Sequence, residues 1–425
     1  IPVEKIELIS KYSSAEGAKP KINKLCGTER AKTKLRVKTK LHDIADKLLK
    51  LYALREMQEG YAFSKDIPEQ EVFESEFPYI PTTDQLIASQ QIKEDMEKKT
   101  PMDRLLCGDV GFGKTEVAFR AIFKAIMSGK QVAFLCPTKI LSSQHYKSAI
   151  ERFRNYPVDI ALLNGFITKK SLEKTLNGLK QGTIDLVIGT HRLLSSDVEF
   201  HDLGLLVIDE EQRFGVAHKE KIKEFKSNID VLTLSATPIP RTMQMSMVGL
   251  RNMSLIETPP VDRYPVQTYV LAYNSQILRD AVYKELSRKG QIFILYNKVA
   301  NIESKVAEIQ QIIPDARITY AHGQMPKHEL ESRMEAFINY EYDILVCTTI
   351  IETGIDIPNV NTLIIMDADC FGLSQLYQIR GRVGRSNKIA YAYLMYNGSK
   401  VLNEQAVKRL KVIKDFTELG SGMSI

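Results

Sequence analysis

No stretch of this sequence approaches the ~18 consecutive apolar residues of a membrane span, and no basic–apolar leader opens it. Cysteine is sparse and scattered. Cys26, Cys107, Cys136, Cys347 and Cys370 form no C-x-x-C pair, and the seven histidines show no metal-ligand spacing. These counts speak against a disulfide framework and a zinc site, and for free thiols in a reducing cytoplasm, several of them within buried apolar runs. A strong charge of one sign is also missing. The net charge of +6 resides in residues 1–60, which carry 14 Lys/Arg against 8 Asp/Glu, while the rest holds 44 of each. Most of that excess lies in "KTKLRVKTK" (32–40), inside a helix expected from about 28 to 60 with Leu35, Leu41, Ile44, Leu48, Leu51 and Tyr52 along one stripe. A solvated face on a packed helix and a nucleic-acid contact both remain open for it. With 44% hydrophobic and 26% charged residues, the 425 residues read as two or three ordinary globular domains. A start at Ile1 and an end at Ile425 suggest an excised piece of a longer chain.

What is present begins with "LLCGDVGFGKTEVAFR" (105–120), a G-x-x-x-x-G-K-T from Gly108 through Gly111 and Gly113 to Lys114 and Thr115. Arg104 to Cys107 read as a buried strand, and Thr115 opens a helix with Val117, Ala118, Ala121, Ile122, Ala125 and Ile126 at helical spacing. A strand, a glycine loop and a helix N-terminus aim several N–H groups and a positive dipole end at one spot. Glycines admit the phosphates, Lys114 neutralises the β/γ pair, and the Thr115 hydroxyl suits Mg2+. A mere glycine turn is the weaker alternative. No other metal is implied.

From Pro81 apolar strands alternate with helical stretches, the pattern of parallel α/β sheets. One group of strands is expected at 104–107, 131–136, 185–190, 203–209 and 231–236. "ETPPVDRYP" (257–265) then breaks the pattern as a linker would. A second group follows at 266–273, 291–297, 316–323, 343–349, 362–369 and 391–396, without a phosphate loop. The fold expected is two doubly wound parallel-sheet domains in tandem, whose ligands bind at the carboxyl ends of the strands. "LLVIDEEQRFG" (205–215) places acids at such an end: Asp209 suits a metal, and Glu210 suits the orientation and deprotonation of a water. In "QIRGRVGR" (378–385), Arg382 and Arg385 lie three apart. They read either as a solvated basic loop or as arginines presented across a cleft to a γ-phosphate.

"GDVGFGKT", "PTKILSSQ", "GTHRLL", "DEEQ", "SATPIPRT", "TTIIETGIDIP" and "QIRGRVGR" occur in the order found in superfamily 2 helicases and translocases, across nearly all of 77–397. More narrowly, "KINKLCGTERAKTK", "MDRLLCGDVGFGKTEVAFRA", "LGLLVIDEEQRFGVAHKEKIK", "LTLSATPIPRTMQMSM" and "HGQMPKHELE" resemble the bacterial transcription-repair coupling factors. The resemblance implies two RecA-like domains (79–258 and 259–425) with ATP and Mg2+ between them, a helical connector (26–78) and the tail of a polymerase-interacting region (1–25). It implies that Gln85 reads adenine near Phe77. Gly354, Asp356, Gln378, Arg382 and Arg385 form the second half of the nucleotide site. Gln212, Ser235 and Thr237 link hydrolysis to movement. Thr138, Thr190, His191 and Thr348 face nucleic acid, gripping backbone rather than bases.

The track implied is double-stranded DNA, in bacterial cytoplasm, with RNA polymerase and excision-repair proteins as partners of the longer protein. Because the chain stops at "ELGSGMSI", where the family begins its translocation motif, it is expected to hydrolyse ATP but to couple that poorly to movement, and to bind polymerase poorly. A branch-migration helicase for stalled forks shares "SATPIPRT" and "GRVGR" and is the alternative. A nucleotide-gated scaffold that never moves needs no water-orienting acid, so Glu210 argues against it.

Overall fold

Runs of four to seven apolar residues without polar alternation are stable as strands only where both sheet faces are covered, and this chain folds accordingly. The computed structural model describes residues 59–415 apart from 166, 216–217, 220, 223–227, 237–250, 261–263, 353–356, 358, 385–387, 399–401 and 403. The stretch 1–58, with the basic helix expected there and Cys26, therefore lies outside the described residues, as do Thr237, Gly354, Asp356 and Arg385.

The first sheet contains β1 (Asp103–Gly108), β2 (Gln131–Leu135), β3 (Ile160–Leu163), β4 (Leu186–Gly189), β5 (Leu203–Asp209), β6 (Asp230–Ser235) and β7 (Asn252–Ile256). All pair in parallel, in the order β3-β4-β2-β5-β6-β1-β7. Its helices are α1 (Pro68–Ser75), α2 (Thr83–Met96), α3 (Lys114–Met127), α4 (Lys139–Arg152) and α5 (Lys169–Gln181). Along β2 the side chains alternate between two cores: Val132 and Phe134 pack with Ile122 and Phe123 of α3, and Ala133 and Leu135 with Leu179 of α5. The first core reaches back before the sheet. Phe73 of α1 stacks on Phe123 at 4.3 Å, and Phe63 is buried in the same core, so the stretch read as connector packs onto this domain at least from Phe63.

The second sheet orders β10-β11-β9-β12-β13-β8, again parallel throughout. Its strands are β8 (Gln267–Ala272), β9 (Gln291–Leu295), β10 (Ile318–Ala321), β11 (Ile344–Cys347), β12 (Val360–Ile365) and β13 (Tyr391–Tyr396). Between them run α6 (Ser275–Ser287), α7 (Ile302–Ile312), α8 (Lys327–Ile338) and α9 (Leu373–Arg380), with α10 (Glu404–Asp415) last. Phe293 and Leu295 face one core, Ile292 and Ile294 the other. Cys107, Cys136 and Cys347 are buried, and burial pushes the Cys107 thiol up to about 11; Cys370, by contrast, is exposed. No helix among the described residues is long and apolar enough to cross a membrane.

Two features of this architecture place the site. Register sets Cys107 opposite Ser235 and Asp209 opposite Leu234, so the phosphate loop and the acidic turn leave the sheet at one level. The chain leaves the first sheet at Ile256 and is gripped at once: Asp84 Oδ2 accepts from the Glu257 and Thr258 N–H groups (2.9 and 2.8 Å) and from the Thr258 hydroxyl (2.8 Å). Asp84 sits in the first turn of α2, beside Gln85.

Candidate active site

The phosphate loop has a left-handed backbone at Gly111 (φ 80°) and Gly113 (φ 79°), a region that costs any other residue about 1–2 kcal/mol. Gly113 is also crowded: a Cβ there would stand 2.4 Å from Gln85 Nε2. Gly108 serves a different purpose, since a Cβ would meet Ile256 of the neighbouring strand at 3.0 Å. Gln85 is nearly buried. Its side-chain oxygen accepts from the Thr82 N–H (3.1 Å), and its Nε2 donates to the Phe112 carbonyl (2.9 Å). Gln85 thus braces the loop from behind. Phe77 is half-buried, with its ring 5.9 Å from the guanidinium groups of both Arg120 and Arg152. Lys114 Nζ donates to the carbonyls of Gly108 (2.6 Å) and Asp109 (2.9 Å), both in its own loop.

Asp209 ends β5, and Glu210 turns the chain with φ 51°, a backbone conformation uncommon for a non-glycine residue. Two hydrogen bonds impose that turn. The Glu210 N–H donates to the Leu234 carbonyl at 3.0 Å, and Glu210 Oε1 accepts from the Ala236 N–H at 3.2 Å. Gln212 Nε2 donates to the other carboxylate oxygen. Burial pushes the Glu210 carboxyl above the ordinary glutamate value, and the Asp209 charge adds to the rise; Lys114 and Arg382 oppose it. His145 Nε2 lies 3.0 Å from Asp209 Oδ2, with the imidazole 4.6 Å from the Phe134 ring.

A cavity of about 280 Å3 brings these groups together: Lys114, Thr115, Asp209 and Glu210 from the first sheet, and Arg382, 5% exposed, from the loop after α9 of the second. Gln378 lies on α9, half-buried. Ser235 closes β6 at the same level and is buried. The positions expected to face nucleic acid divide. His191 is exposed, with its ring 5.2 Å from that of His218, and Thr138 is the half-buried N-cap of α4. Thr190 and Thr348 are buried, 3% and 5% exposed. Leu141, Gln144, His145 and Ser148 also line the cavity and did not figure in the sequence reading. Their i, i+3, i+4, i+7 spacing in "PTKILSSQHYKS" was the available signal.

A DEAD/DEAH box helicase profile matches residues 82–246, and a helicase conserved C-terminal domain profile matches 274–387. The transcription-repair-coupling factor of Bacillus subtilis (strain 168) is 61% identical over all of this chain. The chain belongs to the superfamily 2 helicases, in the transcription-repair-coupling factor branch. It spans 36% of that relative's length. A structure of RecG bound to a three-way DNA junction matches with TM-score 0.73 and 37% identity, over 87% of this chain and 51% of that one. Saccharomyces cerevisiae Dbp5 bound to RNA and ADP BeF3 matches at TM-score 0.62 and 17% identity, over 83% and 92%, a likeness of fold alone. Tandem parallel-sheet domains are thus the helicase arrangement, and membership carries nucleotide binding.

Proposed function

We propose that this chain is an ATP hydrolase that draws on duplex DNA as its track. The observation that carries the reading is the shared cavity: an arginine of the second domain, Arg382, stands with the phosphate-loop lysine and the buried acid of the first. Only an enzyme that stabilises charge developing on a transferred phosphoryl group needs all three.

In this reading Lys114 exchanges the loop carbonyls of Gly108 and Asp109 for the β- and γ-phosphate oxygens. Glu210, held by the Ala236 N–H and Gln212, orients the attacking water and accepts its proton, and its raised pKa brings it closer to the strength a general base needs near neutrality. Arg382 presents its guanidinium to the γ-phosphate. Asp209 and Thr115 share the cavity and are hard oxygen donors of the kind Mg2+ prefers. When bound there, Mg2+ supplies charge neutralisation between the phosphates. Because the nucleotide touches both domains, its hydrolysis changes their alignment, which is the basis of movement. Arg385, Gly354, Asp356, Gln378 and Phe77 complete the nucleotide site on this proposal. Gln212, Ser235 and Thr237 transmit its state, and His191 and Thr138 lie on the DNA side. On this proposal the same motor, as part of a longer chain, pushes stalled RNA polymerase and brings in the repair machinery.

Steady-state ATP hydrolysis with linear duplex DNA, single-stranded DNA, RNA or none tests the proposal. Stimulation by duplex alone is expected, and a chain without turnover under every condition overturns it. The likeness to RecG favours a second reading, branch migration at forks. Stimulation by three-way junctions well above that by linear duplex would select it.

A further inference from the structure

Tyr377 Oη stands 2.5 Å from Asp109 Oδ2, a hydrogen bond between residues 268 positions apart that crosses from α9 to the phosphate loop. Tyr377 is 7% exposed, and the Arg380 guanidinium lies 4.8 Å from its ring centre while donating to the Ile413 carbonyl of α10 at 3.0 Å. The phenol is thereby fixed from behind, and a cation beside the ring strengthens its O–H as a donor. Asp109 is occupied on every side. Its Oδ1 accepts from the Val110 N–H at 2.7 Å, its carbonyl from Lys114 Nζ at 2.9 Å, and its Oδ2 from Tyr377. One residue later, Val110 meets Gly381 so closely that a Cβ on the glycine would stand 3.3 Å from Val110 Cβ. Arg382 follows directly.

We propose that Tyr377 is a positioning residue for hydrolysis: through Asp109 it ties the segment that carries Arg382 to the loop that carries Lys114, and so sets where the guanidinium stands over the γ-phosphate. This inference rests on the ATP-hydrolase reading above. Lys114 links the tie to the nucleotide. When its ammonium turns to a phosphate it leaves the Asp109 carbonyl, and the loop that Tyr377 grips changes its bonding at the moment of binding. The second domain is informed by a hydrogen bond as well as by the phosphates themselves.

The test compares Tyr377→Phe, Asp109→Asn and Arg382→Ala in the full chain, alone and with Tyr377→Phe added to each of the other two. The readouts are kcat, KM for ATP, the affinity for a fluorescent ATP analogue, and the unfolding midpoint. Tyr377→Phe is expected to lower kcat about ten-fold, with KM and analogue affinity within about two-fold of wild type and the midpoint unmoved. In the Arg382→Ala background the same change should cost almost nothing, because no guanidinium remains to be placed. With Asp109→Asn the pair should be no worse than the more severe single change. A merely structural tyrosine would lower the midpoint and multiply with Arg382→Ala. Wild-type turnover with an unimpaired Tyr377→Phe, or full multiplication with Arg382→Ala, overturns the inference alone. A wild-type chain without turnover overturns the ATPase reading and the inference with it.

Discussion

The imidazole of His145 donates to the carboxylate of Asp209 across 3.0 Å, from the second turn of α4 to the end of β5. A carboxylate can only accept, so the Nε2 atom carries the hydrogen. Asp209 is thereby held by a side chain of α4, a helix that also lines the cavity. His145→Ala should leave the fold intact and raise the Mg2+ concentration for half-maximal ATP hydrolysis by about ten-fold, the usual effect of removing a group that orients a metal ligand. Titrating Mg2+ against turnover at saturating ATP checks it, and an unchanged midpoint would show the contact to be idle.

Glu210→Gln should abolish turnover while nucleotide binding persists. Its effect on stability has a definite sign. The folded-state pKa is raised, so the native protein holds a proton to higher pH than the unfolded chain does, and stability falls as pH rises between the two values. At neutral pH the ionised carboxylate is therefore a net cost, and Glu210→Gln should raise the unfolding midpoint there. In the wild type, the acidic limb of kcat should lie above the ordinary glutamate range, because the base works only when ionised. Thermal melts and a pH profile of kcat together check both statements.

Much of this site was legible in the chain. Glycines at 111 and 113 are demanded by positive φ, and the buried strands announce themselves as apolar runs. The two edge strands β3 and β7 are not among the strands expected from the sequence: "NMSLI" mixes polar and apolar residues, and "IALL" is only four residues long with three of them partly exposed. The nucleic-acid-facing role of Thr190 and Thr348 comes from the family resemblance alone, and sequence pattern gives no sign that both side chains are buried. The tie between Tyr377 and Asp109 and the clamp of Asp84 on Thr258 arise from packing between distant segments, for which local pattern holds no signal.

Lys114→Ala and Arg382→Ala should fail differently. Loss of the loop lysine removes the positive charge set against the phosphates of bound ATP, so affinity and turnover should both fall. Loss of Arg382 should leave affinity within a few-fold and lower kcat on the order of 10^3-fold, the scale for an arginine that meets charge only as it develops. Equilibrium binding beside single-turnover hydrolysis separates the two; equal losses in both measurements for Arg382→Ala would contradict the assignment.

Two glycines with nearly the same backbone allow a matched comparison. Gly129 (φ 77°) has nothing within 4 Å of an added Cβ, whereas Gly113 (φ 79°) has Gln85 at 2.4 Å. Gly129→Ala should cost only the left-handed penalty, about 1–2 kcal/mol, and spare hydrolysis. Gly113→Ala should cost more and abolish turnover, because Gln85 must give way and release the Phe112 carbonyl. Denaturant melts of the two variants check the difference.

The grip of Asp84 on Thr258 also sets the reach of one domain from the other. Val266 is already embedded in the second core, so only residues 259–265 lie between the two anchorages. Seven residues at full stretch span about 24 Å. The arginine that shares the cavity with Lys114 belongs to the same chain, and a tether that short keeps it within reach. Catalytic output should therefore scale linearly with protein concentration, with no gain from crowding the molecules together.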